Sequence, residues 1–263
     1  MPAVRRDGVD VYYEVRGRGP PVMLVAGLAA DSSYWMPTVD ALADRFEVVL
    51  VDNRGSGRTT PLGAPTSIGA MADDCMALAR HLRLARVSLV GHSMGGMIVQ
   101  DCAARYPDTV DRLVLVATGA KASARDNDLF ASWAELFPAI DRGLWFRNLF
   151  YWVFTPRFFE GRTAVDALVQ LATRYPYQQT STALANQVRA IAAFDGTPAL
   201  SSIRARTLVL AGTEDLLFPV AASAAFAKSI PHATFAAVEG AAHSIPMEHP
   251  QEFVQRVLPF LGV

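Results

Sequence analysis

The 263-residue chain is poor in the features that would assign it to several large protein classes. It has two cysteines, Cys75 and Cys102. That is too few for a disulfide framework, and both fall in stretches of helical spacing, so they are expected as buried thiols in a reducing cytoplasm. It has no charge excess: 24 Lys and Arg stand against 25 Asp and Glu, a formal net charge of −1. Nothing electrostatic therefore points to nucleic acid or an anionic membrane surface as a partner. Its longest apolar run, around residues 20–30, falls short of the roughly 18 residues a membrane span needs. Arg5 and Arg6 lead into Asp7-Gly8 rather than into an apolar signal segment. No Cys/His cluster has metal-ligand spacing and no glycine-rich phosphate loop opens a helix, so no cofactor is expected. Repeats and low-complexity stretches are missing too. What these absences leave is a chain 51% hydrophobic, long enough for one large core, expected in the cytoplasm as a monomer or homodimer.

Apolar runs of strand type recur at residues 9–15, 22–25, 48–51, 87–90, 113–116, 207–211 and 234–238. From 48–51 onward they are continuous, as parallel strands covered on both faces require. The first two suggest a hairpin-like start, with Asp7-Gly8 and residues 17–21 as turns. Helical spacing predicts helices near 33–43, 67–81, 94–106, 220–229 and 250–261. Alternating strand and helix implies a doubly wound α/β sheet. The alternation breaks between Val116 and Leu208, a gap too long for a loop. That segment is rich in aromatics, from Trp133 to Phe159, and Pro138, Pro156, Pro176 and Pro198 divide it into short helices. An insertion after a sheet strand overhangs the sheet edge where such folds bind ligands. The expected organisation is a core of 1–120 and 201–263 carrying a helical lid at 121–200.

The most informative stretch is Val87-Ser88-Leu89-Val90-Gly91-His92-Ser93-Met94-Gly95-Gly96. An apolar strand breaks at Gly-x-Ser-x-Gly, and Met97, Ile98, Cys102 and Ala103 follow at helical spacing. This is the pattern of a nucleophile elbow, with Gly91 and Gly95 removing the side chains that would collide. The plainer alternative is a glycine-rich structural turn. A serine hydroxyl needs a base to take its proton and an acid to orient that base. In elbow-type folds the chain order is serine, acid, histidine. Asp215 follows the run 207–211 on a loop at the strand's C-terminal end, with Glu214 as its rival. His243 follows the run 234–238 in a loop of small residues. The other histidines have structural explanations: His81 closes a helix, His232 sits in a turn, His249 precedes Pro250, and His92 shapes the pocket floor from within the elbow. Candidate oxyanion donors are the N–H groups of Met94, just after the nucleophile, and of Leu28, after an early strand.

With Asp52-Asn53-Arg54-Gly55-Ser56-Gly57 added to these motifs, the chain resembles the α/β-hydrolases over its whole length. The resemblance implies an eight-stranded, mostly parallel sheet with the lid between strands 6 and 7. Residues 26–31 and 152–158 are most similar to 3-oxoadipate enol-lactonase-like esterases, which commonly carry His-Gly where this chain has Ala26-Gly27. The implied activity is cofactor-independent cleavage of a carboxylic ester or lactone through an acyl-enzyme. The implied partner is a small molecule with an apolar acyl part, contacting His92, Trp145, Trp152 and Leu216. The serine at the elbow argues against the dehalogenase and epoxide hydrolase branches, which use aspartate there. Carbon–carbon bond hydrolysis or lysis, other triad chemistry, and a non-enzymatic receptor with a lidded pocket stay open. Arg142, Arg147, Arg157, Arg162 and Arg174 could meet a substrate carboxylate, but acidic neighbours make a solvated lid surface the plainer expectation.

Overall fold

The computed structural model describes residues 1–262. Its strands are β1 (Ala3–Arg6), β2 (Val9–Arg16), β3 (Pro21–Val25), β4 (Glu47–Val51), β5 (Val87–His92), β6 (Val110–Val116), β7 (Arg206–Gly212) and β8 (Ala233–Val238). They form one sheet in the order β1-β2-β4-β3-β5-β6-β7-β8. The pairs from β4 through β8 are parallel, and β1 and β2 are antiparallel additions.

One expectation needs correction. Residues 9–15 and 22–25 are not hairpin partners, because β4 lies between them: Tyr13 pairs with Val51 and Val22 with Val48. The Asp7-Gly8 turn instead closes a hairpin between β2 and β1, a short, half-exposed strand without an apolar run.

Strand residues alternate between two cores, as a pleat of period two dictates. Met23, Val25, Val49, Leu89 and Val209 face one side, while Val22, Leu24, Val48, Val90 and Leu210 face the other. The first side is covered by α2 (Ile68–His81) and α3 (Met94–Arg105), with α9 (Val220–Lys228). The second is covered by α1 (Met36–Ala43) and α11 (Pro250–Leu261), where Trp35 and Phe253 are buried together. Cys75 on α2 and Cys102 on α3 are free and buried.

Five α-helices lie between β6 and β7: α4 (Ala124–Leu136), α5 (Arg142–Val153), α6 (Pro156–Glu160), α7 (Arg162–Arg174) and α8 (Ser181–Ala192). Local chemistry sets their starts. Ser123 and Asp126 form a capping box on α4, Asp141 caps α5 and Thr180 caps α8. Pro156 opens α6, where its missing N–H costs nothing. A last short helix, α10 (Ile245–Glu248), precedes α11. None of the helices among the described residues is long and apolar enough to cross a membrane.

Strand order reverses between β4-β3 and β5-β6, and the C-terminal sheet edge at such a switch point is where these folds bind ligands. Leu28 and Ser93 leave from those two strands, whose ends pair Val25 with Gly91.

Candidate active site

Ser93 sits between β5 and α3 with φ 54° and ψ −120°. A left-handed, non-glycine residue of this kind is strained by about 1–3 kcal/mol and needs rigid surroundings. The glycines supply them. A Cβ at Gly91 would come within 2.3 Å of the Gly95 carbonyl, and one at Gly95 within 2.1 Å of the Val25 carbonyl. Neither position tolerates a side chain. Ser93 N–H donates to Val116 C=O, and the Thr118 hydroxyl donates to Ser93 C=O at 2.8 Å. The Ser93 hydroxyl itself has no hydrogen-bond partner among the described residues and keeps a small exposure of 8% for the residue.

Asp215 and His243 are brought together from the ends of neighbouring strands β7 and β8. Asp215 is buried, and its Oδ1 accepts from Leu217 N–H (2.8 Å) and Phe218 N–H (3.0 Å). Its Oδ2 lies 3.0 Å from His243 Nδ1. A carboxylate can only accept, so Nδ1 carries the proton and Nε2 is left with its lone pair. Glu214, the neighbouring acid, is exposed. The Phe218 ring stacks on His243, with centroids 5.9 Å apart. His249 is bound to the Gly240 carbonyl and His81 to the Tyr13 hydroxyl.

The two candidate oxyanion donors are free. Neither Leu28 N–H nor Met94 N–H finds an acceptor among the described residues, and Met94 is the first residue of α3, where the helix leaves its amides unpaired. Asn53 fixes the loop after β3 by donating its side-chain amide to Ala26 C=O at 2.9 Å. Gly27 lets that loop run against the elbow, for a Cβ there would stand 3.0 Å from Ser93 Cβ. The rest of the Asp52–Gly57 segment is architectural. Asp52 accepts from Ser32 N–H and Arg58, and Arg54 makes a two-point pair with buried Asp74. A strained serine at a helix start, a basic imidazole nitrogen and two unpaired amides at one sheet edge is an arrangement suited to attack on a carbonyl.

The alpha/beta hydrolase fold model matches residues 20–250. The chain belongs to the alpha/beta hydrolase fold family. It is similar to RutD of Azorhizobium caulinodans, to which a carbamate hydrolase activity is ascribed, with 32% identity covering 100% of this chain and 98% of that one. Among solved structures it resembles the enol-lactonase from Burkholderia xenovorans LB400, with TM-score 0.90, 26% identity and all of both chains covered. It also resembles a thermophilic esterase from Thermogutta terrifontis, with TM-score 0.87, 28% identity, and 98% and 96% of the two chains covered.

Two of the four expected substrate contacts in this hydrolase-fold chain, Trp145 and His92, are buried. Trp145 is 1% exposed, packs edge-on against Phe137 and Phe146, and donates its indole N–H to Trp133 C=O. It belongs to the insertion's core. His92 is also buried, stacked on Tyr34 with centroids 4.5 Å apart. Its Nε2 lies 3.0 Å from the His243 carbonyl, an acceptor only, so that nitrogen is the protonated one. Burial and the neighbouring His243 hold the His92 pKa well below the usual histidine range, so the ring is neutral. Leu216, 44% exposed, lines a groove of about 540 Å³ with Thr118, Arg125 and Phe218. Half-buried Trp152 lies beside it, 5.5 Å beneath the Arg125 guanidinium. That groove is bounded by the loop of Asp215 but not by Ser93 or His243.

Among the arginines, Arg147 pairs with Asp166 and Arg142 lies 3.4 Å over the Phe137 ring. The sequence reading missed Tyr34, Thr118 and Phe218. Each acts through stacking or a backbone contact, for which spacing along the chain gives no signal.

Proposed function

We propose that this hydrolase is a cofactor-independent serine enzyme that cleaves a carboxylic ester or lactone. The observation that carries the reading is His243: its Nδ1–H is committed to buried Asp215, which leaves Nε2 as the basic nitrogen at the sheet edge that also bears Ser93. Nε2 takes the Ser93 proton as Oγ attacks the acyl carbonyl. The oxyanion is met by the N–H groups of Leu28 and Met94, and Asp215 stabilises the imidazolium. Collapse of the tetrahedral adduct breaks the bond to the leaving oxygen, which receives the proton from Nε2. Water, deprotonated by the same nitrogen, then attacks the acyl-enzyme and restores Ser93. For a lactone the leaving alcohol remains tethered to the acyl group. Residues 121–200 act as the cap over this edge, with Trp152 of the cap and Leu216 of the loop after β7 as candidate contacts to the acyl part.

A carbamate is the second reading, supported by two full-length relatives at 32% and 33% identity whose ascribed activity is carbamate hydrolysis. The same machinery serves either carbonyl, but the carbamate nitrogen donates electrons into its carbonyl and makes it a poorer electrophile. The test is kcat/KM over a panel of aryl and alkyl esters, lactones and carbamates. The proposal expects esters or lactones to rank first. A panel led by carbamates replaces it with the second reading, and no turnover of any member contradicts both.

A further inference from the structure

Three backbone groups around His243 are each anchored to a different part of the molecule. The Ala242 N–H donates to Glu248 Oε2 at 3.2 Å. The His243 carbonyl accepts from His92 Nε2–H in the elbow at 3.0 Å. The Ser244 N–H donates to the carbonyl of Val153, the last residue of α5, at 3.0 Å. Glu248 then closes the circuit. Its other oxygen, Oε1, accepts from both the N–H (2.9 Å) and the hydroxyl (2.7 Å) of Thr155, two residues beyond α5. Thr155 is buried, and Met247, next to Glu248, packs against the small apolar cluster of Phe150, Phe154, Val165 and Val169. One half-buried carboxylate thus holds the loop before His243 and the junction between α5 and α6 at the same time.

We propose that Glu248 is a positioning residue that couples the α5–α6 segment to the placement of the His243 ring. The inference rests on the reading of His243 as the base, and Glu248 itself touches no reacting atom. A carboxylate is needed because all three partners donate to it. In a glutamine one oxygen becomes an NH2 group, and whichever way that amide turns, a donor faces the backbone N–H of either Ala242 or Thr155. One side of the clip is lost in both orientations. The loop then moves relative to Ser93 and Asp215, and a displacement of about 1 Å at reacting groups costs on the order of 100-fold in rate. Binding of the substrate's apolar part changes little, so the loss falls on kcat.

The experiment compares wild type, Glu248→Gln, Thr155→Val and Ser93→Ala with an activated aryl ester, and records the downfield proton NMR resonance of His243 Nδ1–H. Glu248→Gln is expected to lower kcat by about 10- to 100-fold and to leave KM within about threefold. It should also broaden the Nδ1–H resonance, which a loss of global stability alone leaves sharp in the folded fraction. Thr155→Val removes one of the three bonds and should lower kcat by a smaller factor, about 3- to 10-fold. If Glu248→Gln fails to fold, Thr155→Val carries the test alone. An unchanged kcat with a sharp resonance in the folded variant overturns the coupling. Ser93→Ala separates the two ideas: full turnover there overturns the underlying triad, whereas an inactive Ser93→Ala beside a fully active Glu248→Gln overturns the role of Glu248 only.

Discussion

The loops at the C-terminal ends of β5, β7 and β8 and the five-helix insertion between β6 and β7 are held by different physics. The loops are held by contacts that admit one residue type. A Cβ at Gly95 would lie 2.1 Å from a backbone oxygen, Ser93 is locked at positive φ, and Asp215 is fixed by two backbone N–H groups before it reaches His243. The insertion is held by apolar area, and it has two parts. Phe130, Trp133, Phe137, Trp145, Leu184 and Ile191 are continuous with the core on one sheet face, whereas Phe150, Phe154, Val165 and Val169 form a cluster of their own. The first part adds a layer to the sheet. The second touches the loop around His243 through Val153, Thr155 and Met247. Substitution of the polar groups Ser93, Asp215 and His243 should therefore abolish chemistry at little cost in stability, and substitutions in the insertion should do the reverse or alter selectivity.

The largest effect sharpens that contrast. Ser93→Ala and His243→Ala should each lower kcat by roughly 10⁶-fold, and the double variant should be little worse because the groups act as a unit. Melting curves should stay near that of wild type, and relief of strain at residue 93 is not expected since alanine keeps the same backbone. Fully additive losses would break the unit. Next, Asp215→Asn should cost on the order of 10⁴-fold in kcat by favouring the wrong imidazole tautomer. The exposed neighbour serves as control, and Glu214→Gln should be nearly silent in the same assay.

In the insertion the order reverses. Trp145→Ala removes a buried aromatic and should destabilise by about 3–5 kcal/mol, seen as a fall in melting temperature on the order of 10 °C. Trp152→Ala should lower the melting temperature less and should change the kcat/KM ranking across acyl lengths by about 10-fold. Equal behaviour of the two tryptophans would erase the distinction between the two parts.

The smallest effect concerns pH. Burial pushes the folded-state pKa of His92 well below the ordinary histidine value of about 6.5, so below that value the unfolded chain binds more protons than the folded one. Stability is complete above pH 6.5 and is lost as pH falls beneath it. His92→Gln keeps a donor for the His243 carbonyl without the titration, so its melting temperature should fall less than that of wild type between pH 7 and pH 5.

The same contrast explains what was legible in the sequence. Gly91, Ser93 and Gly95 could be read because a tight strand-to-helix approach excludes other residues. The meeting of Asp215 with His243 could be read because each follows an apolar strand in chain order. Trp145 and Trp152 could not be told apart: they stand seven positions apart on α5, so they share a helix face, and only neighbours distant in sequence decide their depth. Trp133 and Phe137 cover the first of them. Glu248 left no trace either, since its partners include backbone amides that any sequence provides. The antiparallel start was misread because the hydrophobic pattern gives a strand's faces but not its neighbour.

The central claim is that Ser93 is acylated through His243. It is tested most directly by intact-protein and peptide mass spectrometry after rapid acid quench with a slowly deacylating aryl ester, in step with release of the aryl alcohol. The account predicts a burst of one alcohol per chain, with the acyl mass carried on Ser93 and missing from Ser93→Ala. Steady turnover with no acyl mass on Ser93, or an adduct retained in Ser93→Ala, would contradict it.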